Sequence, residues 1–268
     1  MKFLVLAIVV AVLALFIAVV LTILINILFK KKLNIYIDII LILFLFAGVL
    51  CGSFFIYFGN PSKAKDGAKK YLESTTEVEV TKTDFGYFFD GSGTGSALIF
   101  YPGARVEAEA YAPIMYMLAE RGIDTFIVKM PFNFPMLGMY DAKKVIDNYE
   151  YDNYYISGHS LGGIMAANYS AKNEKISGVI TMAAYPTKKL PDRVKVLSIY
   201  GSNDKVLSMK DYDKYKKNFS NGFEEIVIDG GNHSQFGLYG LQKGDGEAKI
   251  TAEEQHEIVT NEIFNFII

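Results

Sequence analysis

The chain has no tryptophan, one cysteine and three histidines in 268 residues. A single thiol, Cys51, lying inside an apolar run, allows one chain neither a disulfide framework nor a thiolate metal site. His159, His233 and His256 are scattered and never fall at the i, i+4 spacing of a helical zinc site, so no metal and no cofactor is expected. Basic charge is not in excess: 27 Lys and Arg stand against 29 Asp and Glu, a net charge of −2. Nucleic-acid binding needs a basic stripe to neutralise phosphates, and none is visible, so nucleic acid is excluded as a partner. Internal repeats and low-complexity tracts are missing too. With 51% hydrophobic and 21% charged residues, disorder is excluded.

What is there is unevenly spread. Residues 1–60 carry only Lys2, Lys30, Lys31, Lys32 and Asp38 as charges, a local +3, leaving −5 for the remainder. From Phe3 to Phe29 the polar side chains are Thr22 and Asn26. At about 1.5 Å per helical residue, such a run exceeds the roughly 30 Å hydrocarbon core of a bilayer. Ile35 to Phe58 repeats the pattern with Asp38 as its single charge and with Tyr36 and Tyr57 near the two interfaces. The economical reading is a transmembrane helical hairpin, residues 1–60, with spans at about 3–29 and 35–58. The first run is too long for the apolar region of a cleaved signal peptide, and no small-x-small site follows it. A lipoprotein-type cut at Cys51 meets bulky Leu50. Lys30-Lys31-Lys32 in the tight turn predicts a cytoplasmic turn and an extracytoplasmic domain, whereas Lys63, Lys65, Lys69 and Lys70 pull the other way.

After Asn60-Pro61-Ser62 the composition turns polar, which sets the start of a soluble domain, residues 61–268. Val78 to Lys82 and Tyr87 to Asp90 read as a strand hairpin. Gly91-Ser92-Gly93-Thr94-Gly95 is followed by a strand, not by the helix that a phosphate-binding loop requires, so it reads as a turn. Then ALIFY (97–101), TFIVK (125–129), YYIS (154–157), VITM (179–182), VLSIY (196–200) and EIVI (225–228) alternate with helical patterns at 107–121, 139–149, 161–173, 209–218 and 252–264. Short apolar runs of this kind are expected of parallel strands buried on both faces. The prediction is an α/β fold with a doubly wound, mostly parallel sheet, whose chemistry sits at the strand C-terminal ends.

Gly158-His159-Ser160-Leu161-Gly162-Gly163 lies between a strand and a helix, the setting that the G-x-S-x-G nucleophile elbow requires. A serine hydroxyl is a poor nucleophile without a base, and that base needs an acid to hold it. Downstream, Asp204 follows VLSIY and His233 follows EIVI, giving the order Ser, acid, His. His159 adjoins the nucleophile, and His256 falls in the terminal amphipathic pattern, where a surface position is expected. That leaves His233 as the base. Asp192, Asp211, Asp213 and Asp229 compete with Asp204 for the acid, Asp229 as the runner-up lying on the last strand itself. An oxyanion hole needs two backbone N–H donors. Leu161 is expected to supply one and Ala104, in Tyr101-Pro102-Gly103-Ala104-Arg105, the other, with Arg105 its alternative.

From about Ala97 to Gln255 the chain resembles the α/β-hydrolase superfamily, and within it the small bacterial group related to dienelactone hydrolase (α/β-hydrolase fold-5 type). The resemblance rests on Tyr101-Pro102-Gly103, on the elbow, on Gly230-Gly231-Asn232-His233-Ser234-Gln235-Phe236-Gly237 and on Tyr239 to Gly246. It implies serine-hydrolase chemistry with a Ser160, Asp204, His233 triad. It departs from dienelactone hydrolase in having serine as nucleophile, so that substrate is not carried over. Lysine outnumbers arginine 24 to 3, which points to an AT-rich bacterial genome.

Three functions compete on the sequence. The first is a membrane-anchored serine hydrolase of a small-molecule carboxylic ester or thioester, with the lipid bilayer as its other partner. The second is an acyltransferase using the same triad, and the third is a catalytically silent fold that binds a ligand or partner at the membrane. The Gln235 to Gly246 loop either roofs the pocket through Gln235, Phe236 and Tyr239, or folds compactly to pin His233.

Overall fold

A computed structural model describes residues 2–28, 34–93 and 95–268, with side chains from Val9 onward. The Lys30-Lys31-Lys32 turn, Phe29 and Thr94 lie outside the described residues. The chain separates into two compact units, Met1–Asn60 and Pro61–Ile268.

The first unit is two helices, α1 (Lys2–Leu28) and α2 (Ile35–Phe58), which pack on each other. Val9–Leu28 and Ile35–Phe58 are each long and apolar enough to cross a membrane. Two of their polar side chains donate hydrogen bonds within the pair. Thr22 donates to the Ala18 carbonyl at 2.9 Å, and the Asn26 amide donates to Asp38 at 2.9 Å. Asn34 starts α2 by accepting the Tyr36 N–H, and Gly59 ends it.

The second unit opens with α3 (Asp66–Lys69) and a 3₁₀ turn at Lys70–Leu72. The predicted strand hairpin is present as β1 (Glu79–Thr83) and β2 (Gly86–Asp90), paired antiparallel. There follow β3 (Ser96–Tyr101), α4 (Ala112–Ala119), β4 (Asp124–Val128), α5 (Ala142–Asn148), β5 (Asn153–His159), α6 (Leu161–Ser170), β6 (Ile176–Met182), β7 (Lys195–Gly201), α7 (Met209–Tyr215), β8 (Glu224–Ile228) and α8 (Ala252–Ile267). The sheet order is β1-β2-β4-β3-β5-β6-β7-β8, parallel from β4 to β8. A parallel ladder forces each connection to cross a sheet face, so both faces are covered.

The alternation along β3 sorts its side chains between two cores. Leu98 and Phe100 pack with Ile114, Met115, Val259 and Ile263 of α4 and α8 on one face. Ala97, Ile99 and Tyr101 pack with Val145, Ile146, Met165 and Tyr212 of α5, α6 and α7 on the other.

Three sequence expectations need correction. The helix predicted over 107–121 is split, with a 3₁₀ turn at Ala108–Tyr111 before α4, because Pro113 has no N–H to extend a helix on its N-terminal side. EIVI is not buried on both faces. As β8 it is the sheet edge, and Val227 is exposed. His256 is no surface residue. It is 2% exposed, because α8 lies flat on the sheet and turns that face inward.

Candidate active site

Among the described residues five non-glycine residues have positive φ: Arg105, Phe132, Asn133, Ser160 and Ala183. All five follow the C-terminal ends of β3, β4, β5 and β6, four neighbouring strands. Such backbone costs about 1–3 kcal/mol per residue and persists only where the surroundings enforce it. The strain marks one edge of the sheet.

Ser160 sits at φ 53° and ψ −124°, between the last residue of β5 and the first of α6. Its N–H donates to the Met182 carbonyl at 2.9 Å, which holds the turn to β6. Tightness explains the glycines. A Cβ on Gly162 would run into the Tyr101 and Pro102 carbonyl oxygens, and one on Gly158 into the Gly162–Gly163 backbone. The same close approach sets the end of β3 against the elbow.

His233 and Asp204 come from the loops after β8 and β7. His233 Nδ1 is 2.8 Å from Asp204 Oδ2, and both residues are buried. Asp204 Oδ1 accepts the N–H groups of Val206 at 2.8 Å and Leu207 at 2.7 Å, so its carboxylate has partners on both oxygens. His233 Nε2 is buried and makes no hydrogen bond, including none to Ser160 Oγ. That contact commonly tightens only when substrate binds. The other candidate acids are elsewhere. Asp229 falls just past β8 rather than on it, is exposed, and accepts from Ser202 Oγ at 3.3 Å. Asp192 accepts from the Asn221 N–H, and Asp211 lies in the first turn of α7.

In the β3–α4 loop the Gly103 N–H donates to Tyr111 Oη at 3.1 Å, and the Arg105 N–H donates to the Asn133 carbonyl at 2.8 Å. Arg105 is therefore unavailable as the alternative oxyanion donor. The Ala104 N–H has no acceptor among the described bonds of this loop, nor has the Leu161 N–H at the first position of α6.

One contributor escaped sequence reasoning. Tyr111 Oη accepts from the Gly103 N–H and shares a second hydrogen bond with His159 Nδ1 at 2.9 Å, which joins the β3 loop to the elbow. Burial, reinforced by the neighbouring His233, pushes the His159 imidazole well below its ordinary pKa and keeps it neutral. The His159 and His233 ring centroids lie 4.4 Å apart, which brings the histidine loop against the elbow. No motif announces Tyr111, because its partners lie 8 and 48 residues away.

The Gln235 to Gly246 loop pins more than it roofs. Phe236 is fully buried with its ring against His159, and Tyr239 is buried against Tyr111 and His159. Gln235 Nε2 donates to the Ile250 carbonyl at 3.2 Å. Leu241 is the exposed large apolar side chain of this loop, and Phe132, Met136 and Leu137 after β4 are exposed as well.

Residues 97–257 match the family described as "Alpha/beta hydrolase family". Among solved structures, epoxide hydrolase VrEH1 from Vigna radiata is 13% identical with a TM-score of 0.53, the match covering 73% of this chain and 99% of that one. Est1E from Butyrivibrio proteoclasticus is 14% identical with a TM-score of 0.50, covering 72% and 99%. A predicted CIB-like hydrolase from Thermoplasma acidophilum is 14% identical with a TM-score of 0.51, covering 70% and 98%. At these identities the likeness concerns the fold alone. No curated protein matches the chain.

Proposed function

This chain belongs to the Alpha/beta hydrolase family, and from that premise we propose that it is a membrane-anchored serine hydrolase cleaving a carboxylic ester or thioester through an acyl-serine intermediate. The observation that carries the reading is the strained Ser160 at the strand-to-helix turn, accompanied by the buried His233–Asp204 pair.

Ser160 Oγ attacks the substrate carbonyl carbon while its proton passes to His233 Nε2. Asp204 holds the Nδ1–H, which leaves the Nε2 lone pair for this step and stabilises the imidazolium that forms. The Ala104 and Leu161 N–H groups receive the oxyanion. On collapse the C–O or C–S bond breaks, and the leaving alcohol or thiol takes the proton from His233. Water then attacks the acyl-serine, gives its proton to His233, and the acid departs as that proton returns to Ser160.

In this reading α1 and α2 form the anchoring hairpin, supported by their length and apolar composition, with the catalytic unit extracytoplasmic.

The test is labelling of the detergent-solubilised full chain by a fluorophosphonate probe. Wild type should label, Ser160→Ala should not, and His233→Ala should label far more slowly. On p-nitrophenyl acetate, Asp204→Asn should lose orders of magnitude in turnover and Asp229→Asn little. A folded wild type that does not label overturns the proposal. Activity in Ser160→Ala above about a thousandth of wild type, more than an oxyanion hole alone sustains, would require another nucleophile.

A further inference from the structure

Asp204 and His233 sit on loops that leave two adjacent parallel strands, β7 and β8. Nothing in a strand ladder fixes the loops beyond it, yet a hydrogen bond of 2.8 Å between their side chains requires those loops to be held to a fraction of an ångström. The residues directly before and after each member of the pair show what holds them: the Asn203 N–H donates to the Gly231 carbonyl at 2.8 Å and the Gln255 side chain holds the Asn232 backbone, while the side-chain contacts made across the two loops meet on three residues, Asp245 to Glu247.

After each member, the contact is the Asp245 carboxylate. Its Oδ2 accepts from the Ser234 N–H at 2.8 Å and the Ser234 hydroxyl at 2.6 Å, directly after His233. Its Oδ1 accepts from the Lys205 N–H at 3.2 Å, directly after Asp204, and from the Gly246 N–H at 2.8 Å. Before each member, the contact is an asparagine. The Asn203 amide donates to the Glu247 carbonyl and the Asn232 amide to the Gly246 carbonyl, both at 2.8 Å. Ser234 Oγ also accepts the Gln242 N–H at 2.8 Å, which ties the rest of the loop to the same point.

Burial opposes ionisation of Asp245, but the donors from Ser234, Lys205 and Gly246 outweigh it and hold the carboxyl below its ordinary pKa. The clasp is thus an anion gripping backbone N–H groups, the stronger class of hydrogen bond. Gly246 lies so close to the acid loop that a Cβ there would collide with the Asn203 carbonyl oxygen.

We infer that Asp245 is a positioning residue, a carboxylate clasp that sets the Asp204 loop and the His233 loop at the separation at which acid and histidine meet. The inference rests on the triad reading for its effect on turnover. It assigns the Gln235 to Gly246 loop a role in catalysis exerted through the Asp204–His233 pair and not by contact with substrate.

The experiment compares wild type, Asp245→Asn and Ser234→Ala in the full chain in detergent. An asparagine keeps the shape of the carboxylate but turns an NH₂ toward N–H and O–H donors that need an acceptor. Asp245→Asn should lower kcat on p-nitrophenyl acetate by about 10- to 100-fold, the scale of an ångström-level misplacement, with KM changed less than about two-fold. The downfield proton resonance of the His233 Nδ1–H, identified by its loss in His233→Ala, should shift or broaden. In an Asp204→Asn background the same substitution should cost less than about two-fold, since the contact it positions is already gone.

Ser234→Ala removes one of the donors and should shift the same resonance by less, which decides the matter if Asp245→Asn does not fold. Unchanged kcat and an unchanged resonance in folded Asp245→Asn overturn the inference, as do losses that multiply fully in the double variant. The resonance needs no turnover, so it tests the clasp even where the wild type proves inactive on esters. Inactivity of the wild type would count against the hydrolase reading instead.

Discussion

Burial decides the protonation of two of the three histidines, and the consequence reaches the stability of the whole domain. His256 on α8 is buried, which pushes its imidazole from 6.5 down to about 4, against the partial support of Glu253 and a hydrogen bond with the Gln235 backbone. His159 is lowered for the same reason. In the unfolded chain both titrate near about 6.5. Below that pH the unfolded chain gains protons that the fold refuses, so stability is greatest above about 6.5 and declines as pH falls toward 4. For His256 alone the difference is on the order of 3 kcal/mol. Asp245, with its pKa lowered, acts in a more acidic window, its contribution being lost as pH falls through the folded value. Unfolding free energies from urea titrations at pH 7, 5.5 and 4.5 should therefore fall, and His256→Leu should flatten the slope between the first two. A slope identical to wild type would assign the pH dependence to His159 or to other groups.

At the scale of elements, the connection from β6 to β7 shapes the pocket. Residues 183–194 hold no helix, so no cap stands over the site at that crossover. Water exclusion then rests on shorter segments, chiefly the exposed Phe132 to Leu137 loop, whose Asn133 carbonyl is bonded to the oxyanion loop through Arg105. A short cover gives an acyl chain little to bury against. Each CH₂ that stays in the pocket contributes about 0.8 kcal/mol, and those beyond it almost nothing. Across a p-nitrophenyl ester series kcat/KM should peak between acetate and butyrate. A rise continuing to dodecanoate would contradict an open pocket and indicate a lipid-accommodating tunnel.

For the whole molecule, the division into an apolar helix pair and a hydrolase unit turns orientation into a testable property. Under the positive-inside rule the lysines at 30–32 favour a cytoplasmic turn, while Lys63, Lys65, Lys69 and Lys70, just after α2, favour the reverse. Under the proposed anchoring the lysines at 30–32 adjoin both α1 and α2, which favours the extracytoplasmic orientation. Protease added to intact cells should digest residues 61–268. Full protection until the membrane is broken would place the domain inside.

The sequence by itself determined the element order, because parallel strands buried on both faces must be short and apolar, and the helices between them must be periodic. It also determined the elbow, since only glycines fit where Gly158 and Gly162 meet neighbouring backbone. It ranked Asp204 above Asp229 only by position relative to β7 and β8, and the 2.8 Å contact with His233 is what separates them. It misplaced His256, because helical periodicity does not say how far around α8 the core extends. Tyr111 was out of its reach, and so were the partners of Asp245, which the sequence placed only within a compact loop pinning His233. Each acts by hydrogen-bonding loops from distant parts of the chain, Gly103 with His159 in one case and Lys205 with Ser234 in the other. Those distances come into being only when the crossovers bring the ends of the parallel strands to one edge of the sheet.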